Sequence, residues 1–191
     1  MLGKAALDGD GAELVGGTAG GTGHGGTYED GAGLYGAVAK PRSFAPYNRR
    51  MNIDDLVETF ELLGDWEERY RFIIDLGRKL PPMPEADHNE ANKVRGCMSQ
   101  VWLTHRVEQG PPLKLAFQGD SDSHLVKGLI ALLFQLCSEQ TPQEILALDI
   151  ESAFTRLGLE NHITMNRRNG FYAMVERIRA MAKNQTTAQT S

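Results

Sequence analysis

Gln100-Val101-Trp102-Leu103-Thr104-His105-Arg106-Val107, then Glu108-Gln109-Gly110-Pro111-Pro112, then Leu113-Lys114-Leu115-Ala116-Phe117: this stretch decides the fold class. In the first run Val101, Leu103 and His105 fall on one side of an alternating pattern. In the last, Leu113, Leu115 and Phe117 do the same. Alternation with period two on either side of a Gly-Pro-Pro break predicts a β-hairpin. A short third strand is expected around Lys93–Arg95, which makes a small antiparallel sheet of about three strands. Directly ahead of the hairpin stands Arg95-Gly96-Cys97-Met98-Ser99, a cysteine behind a glycine in a short polar turn.

Outward from the hairpin the periodicity becomes helical. Ile53, Leu56, Val57, Phe60 and Leu63 share one helix face, closed by Gly64. Asp65 reads as an N-cap, and Glu68 completes a capping-box pattern with it. The helix that follows carries Trp66, Tyr70, Ile73, Gly77 and Leu80 on one face and stops at Pro81, Pro82 and Pro84. Both tryptophans, Trp66 and Trp102, are expected in the core. Gly119-Asp120-Ser121-Asp122 ends the sheet and offers side-chain caps to a helix over about 123–138, apolar on most sides and so expected at the centre. Thr141-Pro142-Gln143-Glu144 combines an N-cap, a first-turn proline and a capping-box acid. Short helices fit 142–148 and 151–157, the second closed by Gly158. A last helix, with Thr164 at its start, carries Phe171, Met174, Val175, Ile178 and Met181 in one stripe. Helices flanking a small antiparallel sheet make an α+β fold.

Three segments are expected along the 191 residues. Residues 1–50 hold 13 of the 21 glycines and no apolar periodicity. Such a stretch does not bury enough surface to offset the entropy of ordering it, so it is read as a disordered, dispensable extension. Its GxGxxG match, Gly21-Thr22-Gly23-His24-Gly25-Gly26, lacks the strand before and helix after that phosphate binding needs. Residues 51–183 form the folded domain, and 184–191 a polar disordered tail.

Composition narrows the function. A net charge of −5 gives no basic footprint for nucleic acid. The longest apolar run, 125–137, contains Lys127 and is too short to span a bilayer, and no secretory signal is visible. A reducing cytoplasm is the expected location. The two cysteines, Cys97 and Cys137, lie 40 positions apart, so neither a disulfide framework nor a CxxC redox or zinc motif is present. His88, His105, His124 and His162 show neither metal-ligand spacing nor the context of a cysteine hydrolase. Asp120 and Asp122 are too short a series for a calcium loop.

That leaves Cys97 with two readings open. Free cysteines are often inert packing, yet a preceding glycine permits a turn that exposes the thiol. A nearby cation would raise its thiolate fraction. Arg95, Arg167 and Arg168 are the candidates, the last two if the final helix packs beside the turn. Cys137, in an apolar helix, reads as packing.

From Met51 to about Ala182 the chain resembles the SufE family of sulfur-acceptor proteins, CsdE-like paralogues included. The residues that carry the resemblance run in order: Asp65-Trp66-Glu67-Glu68-Arg69-Tyr70, Ile73-Ile74-Asp75-Leu76-Gly77, Gly96-Cys97-Met98-Ser99-Gln100-Val101-Trp102, Gln118-Gly119-Asp120-Ser121-Asp122, Leu125-Val126-Lys127-Gly128-Leu129-Ile130-Ala131 and Thr141-Pro142-Gln143-Glu144-Ile145. The resemblance implies a fold like that of IscU-type scaffolds. It also implies a sulfur acceptor that stimulates a partner cysteine desulfurase of the SufS or CsdA type, takes its persulfide sulfur and passes it to an iron–sulfur scaffold. On this reading Cys97 carries the persulfide, with Gly96, Arg167 and Asp122 as supporting residues near the same turn. The pyridoxal phosphate belongs to the desulfurase, so no cofactor or metal is expected on this chain, nor stand-alone enzyme activity. The turn around Cys97 is expected to pack inward when idle and swing out when docked. The alternatives are a non-catalytic desulfurase-binding module with a structural Cys97, or a thiol redox protein.

Overall fold

The computed structural model describes the backbone of residues 51–190 and the side chains of 51–188. The glycine-rich segment and its GxGxxG match lie outside the described residues. The elements in chain order are α1 (Ile53–Leu62), α2 (Trp66–Arg78), a 3₁₀ turn (Glu85–Asp87), β1 (Val101–Glu108), β2 (Lys114–Ser121), α3 (His124–Cys137), α4 (Pro142–Ala147), α5 (Ile150–Arg156), a second 3₁₀ turn (Leu159–Asn161) and α6 (Met165–Thr190). This is an α+β fold. None of the helices among the described residues is long and apolar enough to cross a membrane.

Short-range capping fixes where the helices begin. Asn52 and Asp55 form a reciprocal capping box at α1. Thr141 and Glu144 form another at α4, with Pro142 in first position. At α2 the Asp65 carboxylate accepts the Glu68 N–H at 2.9 Å, but Glu68 reaches one residue further back and accepts from Gly64 at 2.8 Å. The box is thus offset, and it still covers two backbone donors, a contribution of about 1 kcal/mol for the Asp65 cap.

β1 and β2 pair antiparallel from Val101↔Ser121 to Glu108↔Lys114. Among the described residues the sheet has two strands, not three. Lys93 makes only an isolated bridge with Trp102, flanked by the bonds Val94 N–H to Val101 O and Leu103 N–H to Asn92 O, both 2.8 Å. Pairing stops there because the chain turns at Gly96. Val101, Leu103, Leu115 and Phe117 are buried, and α3 is buried along most of its length. Removing one such leucine or phenylalanine side chain from water contributes ~2 kcal/mol, so α3 and β2 form the core's centre. A side chain at Gly119 would sit 2.6 Å from Leu103 and 3.0 Å from Ile130, which shows how closely sheet and helix meet.

α2 crosses α3 where two glycines face each other. A Cβ on Gly77 would lie 2.6 Å from the Gly128 nitrogen, and one on Gly128 would collide with the Ile73 carbonyl. On the other side, Phe154 of α5 stacks on Phe171 of α6 at 4.2 Å, and Arg179 forks onto the Glu151 carboxylate at 2.7 and 2.8 Å. The stripe Phe171, Met174, Val175, Ile178 and Met181 is buried.

Two expectations are corrected. Residues 184–190, read as a disordered tail, continue α6. After Lys183 comes neither glycine nor proline, and the alanine and glutamines favour helix. Thr186 and Thr187 bond back to the carbonyls of Ala182 and Lys183, and Gln185 lies 3.3 Å from His105 Nε2. The tryptophans sit at the margin, half-buried. Trp66 stacks on His162 at 3.6 Å, with the Arg69 guanidinium 5.1 Å from its ring. Trp102 follows Val101 and precedes Leu103, so alternation turns it to the opposite face, where it meets His88 edge-on at 4.8 Å.

Candidate functional site

The Cys97 turn is clamped at both ends. On the incoming side Val94 is bonded to Val101. On the outgoing side the Gln100 N–H donates to Asp122 Oδ1 at 3.0 Å, and the Asp122 N–H donates to the Gln100 carbonyl at 3.3 Å. Asp122, expected among the caps of α3, therefore ties the end of the turn to the end of the sheet. The cap is Ser123, which accepts from the Val126 N–H. Between the clamps, among the described residues, no side chain of residues 97–99 makes a hydrogen bond. Gly96 has φ +88°, a region L-residues seldom adopt. A Cβ there would have space, with Ala173 at 3.8 Å, so the backbone angle calls for glycine, not crowding.

Cys97 is half-buried and free. Its sulfur points at α6, where a Cβ on Gly170 would lie only 2.6 Å from Sγ. Its other side opens on a cavity of about 230 Å³ lined by Met98, Ser99, Thr164, Asn166 and Arg167. Of the three arginines considered from sequence, Arg167 alone lines this cavity. Among the described residues it has no carboxylate partner. Arg95 turns to Glu90 at 3.3 Å. Arg168 donates to the Glu160 carbonyl at 3.2 Å and faces the Met165 sulfur at 3.4 Å. An anion formed at Cys97 would thus share its cavity with one unneutralised guanidinium. The structure brings Gly96, Cys97, Asp122 and Arg167 to one turn.

Cys137 contrasts with this. It has 0% exposure inside α3, and burial, opposed weakly by Arg179, pushes its thiol up to about 12. The described histidines lie elsewhere. His88 Nε2 is 3.0 Å from Asp120, whose carboxylate also meets Lys127 at 2.6 Å. Burial opposes ionisation of Asp120, but the bonds from Lys127, His88 and the Ser121 backbone outweigh it and hold the carboxyl below its ordinary value. His105 is held below its ordinary value by burial and by the Arg177 charge, both of which favour its neutral form. None of the described histidines lines the Cys97 cavity.

Sequence reasoning missed three features. Gly170 follows closely on the paired arginines, but its place against the sulfur is not read from their motif. A glycine inside a helix, where alanine would be favoured, is the signal that marks it. Met98, which lines the cavity, and Met165, at the start of α6, also went unread, although they are 79% and 61% exposed and large exposed apolar side chains invite explanation.

Residues 54–182 match the family model described as SufE, Fe-S metabolism associated domain. An uncharacterised SufE-like protein of Rhizobium meliloti is 39% identical over 138 residues, spanning 72% of this chain and 99% of that protein. One of Rhizobium etli is 41% identical over 139 residues, spanning 72% of this chain and 93% of that protein. The solution structure of a hypothetical protein from Thermus thermophilus superposes with a TM-score of 0.59 at 23% identity, covering 71% of this chain and 96% of that one. At that identity the likeness speaks for the fold.

Proposed function

This chain belongs to the SufE family, which gives it a role in iron–sulfur metabolism, and from that premise we propose that Cys97 is a transient carrier of sulfur. The donor is the persulfide of a pyridoxal-phosphate-dependent cysteine desulfurase of the SufS or CsdA type, whose turnover the chain stimulates by clearing its product. The receiver is a downstream iron–sulfur scaffold, in a reducing compartment such as the cytoplasm. One observation supports the reading above the others. Cys97 sits on a turn clamped at its two ends, faces a cavity with Arg167, and is the accessible member of a pair whose other thiol is sealed.

The chemistry needs one thiolate. Cys97 Sγ attacks the outer sulfur of the donor persulfide. A new S–S bond forms at Cys97, the donor's own S–S bond breaks, and the donor leaves as a thiolate that takes up a proton. The sulfane sulfur keeps its oxidation state, so no external oxidant or reductant enters. Arg167 offers its charge to the anionic persulfide. Gly96 permits the turn, and Asp122 anchors its outgoing end. Met98, exposed and lining the same cavity, gives the partner an adaptable apolar contact beside the sulfur.

The test is intact-mass measurement after incubation with a desulfurase and free cysteine. The expected result is a gain of one sulfur that Cys97→Ser abolishes and Cys137→Ser leaves in place. A Cys97→Ser protein that still stimulates the desulfurase fully would instead make this chain a binding module.

A further inference from the structure

We propose that Gly170 is a positioning residue for Cys97: its missing side chain is the seat that holds the sulfur inward, and so it sets how often the turn stands open. The seat itself needs nothing from the carrier reading. Only its consequence for sulfur transfer rests on that reading.

Gly170 lies inside α6, five residues from the helix start, and is buried. A glycine in a helix interior destabilises by about 1 kcal/mol relative to alanine. Its backbone does not ask for glycine, since the positive φ angles among the described glycines are those of Gly96 and Gly158. What remains is space. The three atoms nearest a Cβ built at Gly170 all belong to Cys97: Sγ at 2.6 Å, Cβ at 3.3 Å and Cα at 3.7 Å. Carbon in favourable contact sits about 3.5–4.0 Å away, so a methyl group and the inward sulfur exclude each other.

The sulfur would be the group to yield. It is the end of a short side chain on a turn with φ +88° at Gly96, and among the described residues no side-chain hydrogen bond holds residues 97–99. Alanine at 170 would therefore favour the helix and disfavour the closed turn. The open population would rise, and with it the reactivity of Cys97 towards any partner that needs the thiol outside.

The experiment compares Gly170→Ala with the unaltered full chain by iodoacetamide alkylation at fixed pH, followed by intact mass, alongside thermal unfolding. Alkylation of Cys97 is expected to speed up roughly fivefold or more, with Cys137 still unreactive and the melting temperature unchanged or higher. General loosening of the fold would expose both thiols and is thereby distinguished. A Cys97 rate within about twofold of the original, in a variant that melts normally, would overturn the proposal. Should Gly170→Ala fail to fold, the double variant Cys97→Ala/Gly170→Ala decides: folding restored supports the sulfur seat, and folding still lost overturns it. A wild-type chain that never gains sulfur while Gly170→Ala still alkylates faster would remove the carrier reading and leave the seat standing.

Discussion

Two regions of this molecule are built on helix glycines that let something come close, and they differ in what comes close. At the α2–α3 seam, Gly77 and Gly128 admit backbone: the Gly128 nitrogen and the Ile73 carbonyl. At the Cys97 turn, Gly170 admits the tip of one side chain. Backbone inside two packed helices has nowhere to go, whereas a thiol on a turn can rotate away. The same residue type thus makes a fixed joint in one region and a movable latch in the other. The two thiols differ as well. Cys137, at the C-terminal end of α3, is sealed and pushed up to about 12, and Cys97 opens on a cavity.

The sharpest way to break this contrast is a methyl group in the seam. Gly128→Ala is expected to lower unfolding free energy by about 3 kcal/mol or more, since neither the Ile73 carbonyl nor the helix carrying it can retreat without repacking. Urea unfolding measures it. A loss smaller than that of Gly170→Ala would mean the two glycine sites are alike after all.

How far these regions can be read from sequence follows from how local their causes are. The caps at Asp65 and Thr141 were legible because the bonding partners lie three residues away. The hairpin was legible because alternation and a Gly-Pro-Pro break fix it locally. The third strand was misjudged because a single bridge at Lys93 looks, in sequence, like the start of a ladder; the turn at Gly96 ends it. Asp122 was expected near the turn on family resemblance, but its residue pattern spoke for helix capping. Its actual acceptor role spans 22 residues, to Gln100. Gly170 depended on which turn of α6 meets which atom of Cys97, a tertiary fact with no local trace beyond a glycine where alanine would do.

The cysteines sharpen the contrast through pH. An unfolded thiol ionises near 8.5, and native Cys137 near 12. Below the unfolded value both states are protonated and stability does not depend on this group. Above it the unfolded chain releases the proton and the native one keeps it, so stability falls as pH rises, by about 1 kcal/mol per unit up to the native value. Other groups titrate in the same window, so the readout is a difference. Wild type should lose stability between about pH 9 and 10.5 more steeply than Cys137→Ala, by about that slope. Equal slopes would mean that Cys137 is not sealed.

The smallest expected effect concerns the tether of the movable region. Asp122→Ala removes the acceptor for the Gln100 N–H, a bond on an exposed segment worth about 1 kcal/mol. Amide exchange at Gln100 should quicken several-fold, and Cys97 alkylation should rise less than with Gly170→Ala, because the seat stays intact. Asp122→Asn retains an oxygen that accepts the same bond, so it should resemble the wild type at Gln100 if the bond matters more than the charge. Unchanged exchange in Asp122→Ala would leave the turn to its backbone anchors, the Val94–Val101 pairing and the bond from the residue-122 N–H to the Gln100 carbonyl. The side-chain tether would then add nothing, and the sulfur seat at Gly170 would be what closes the latch.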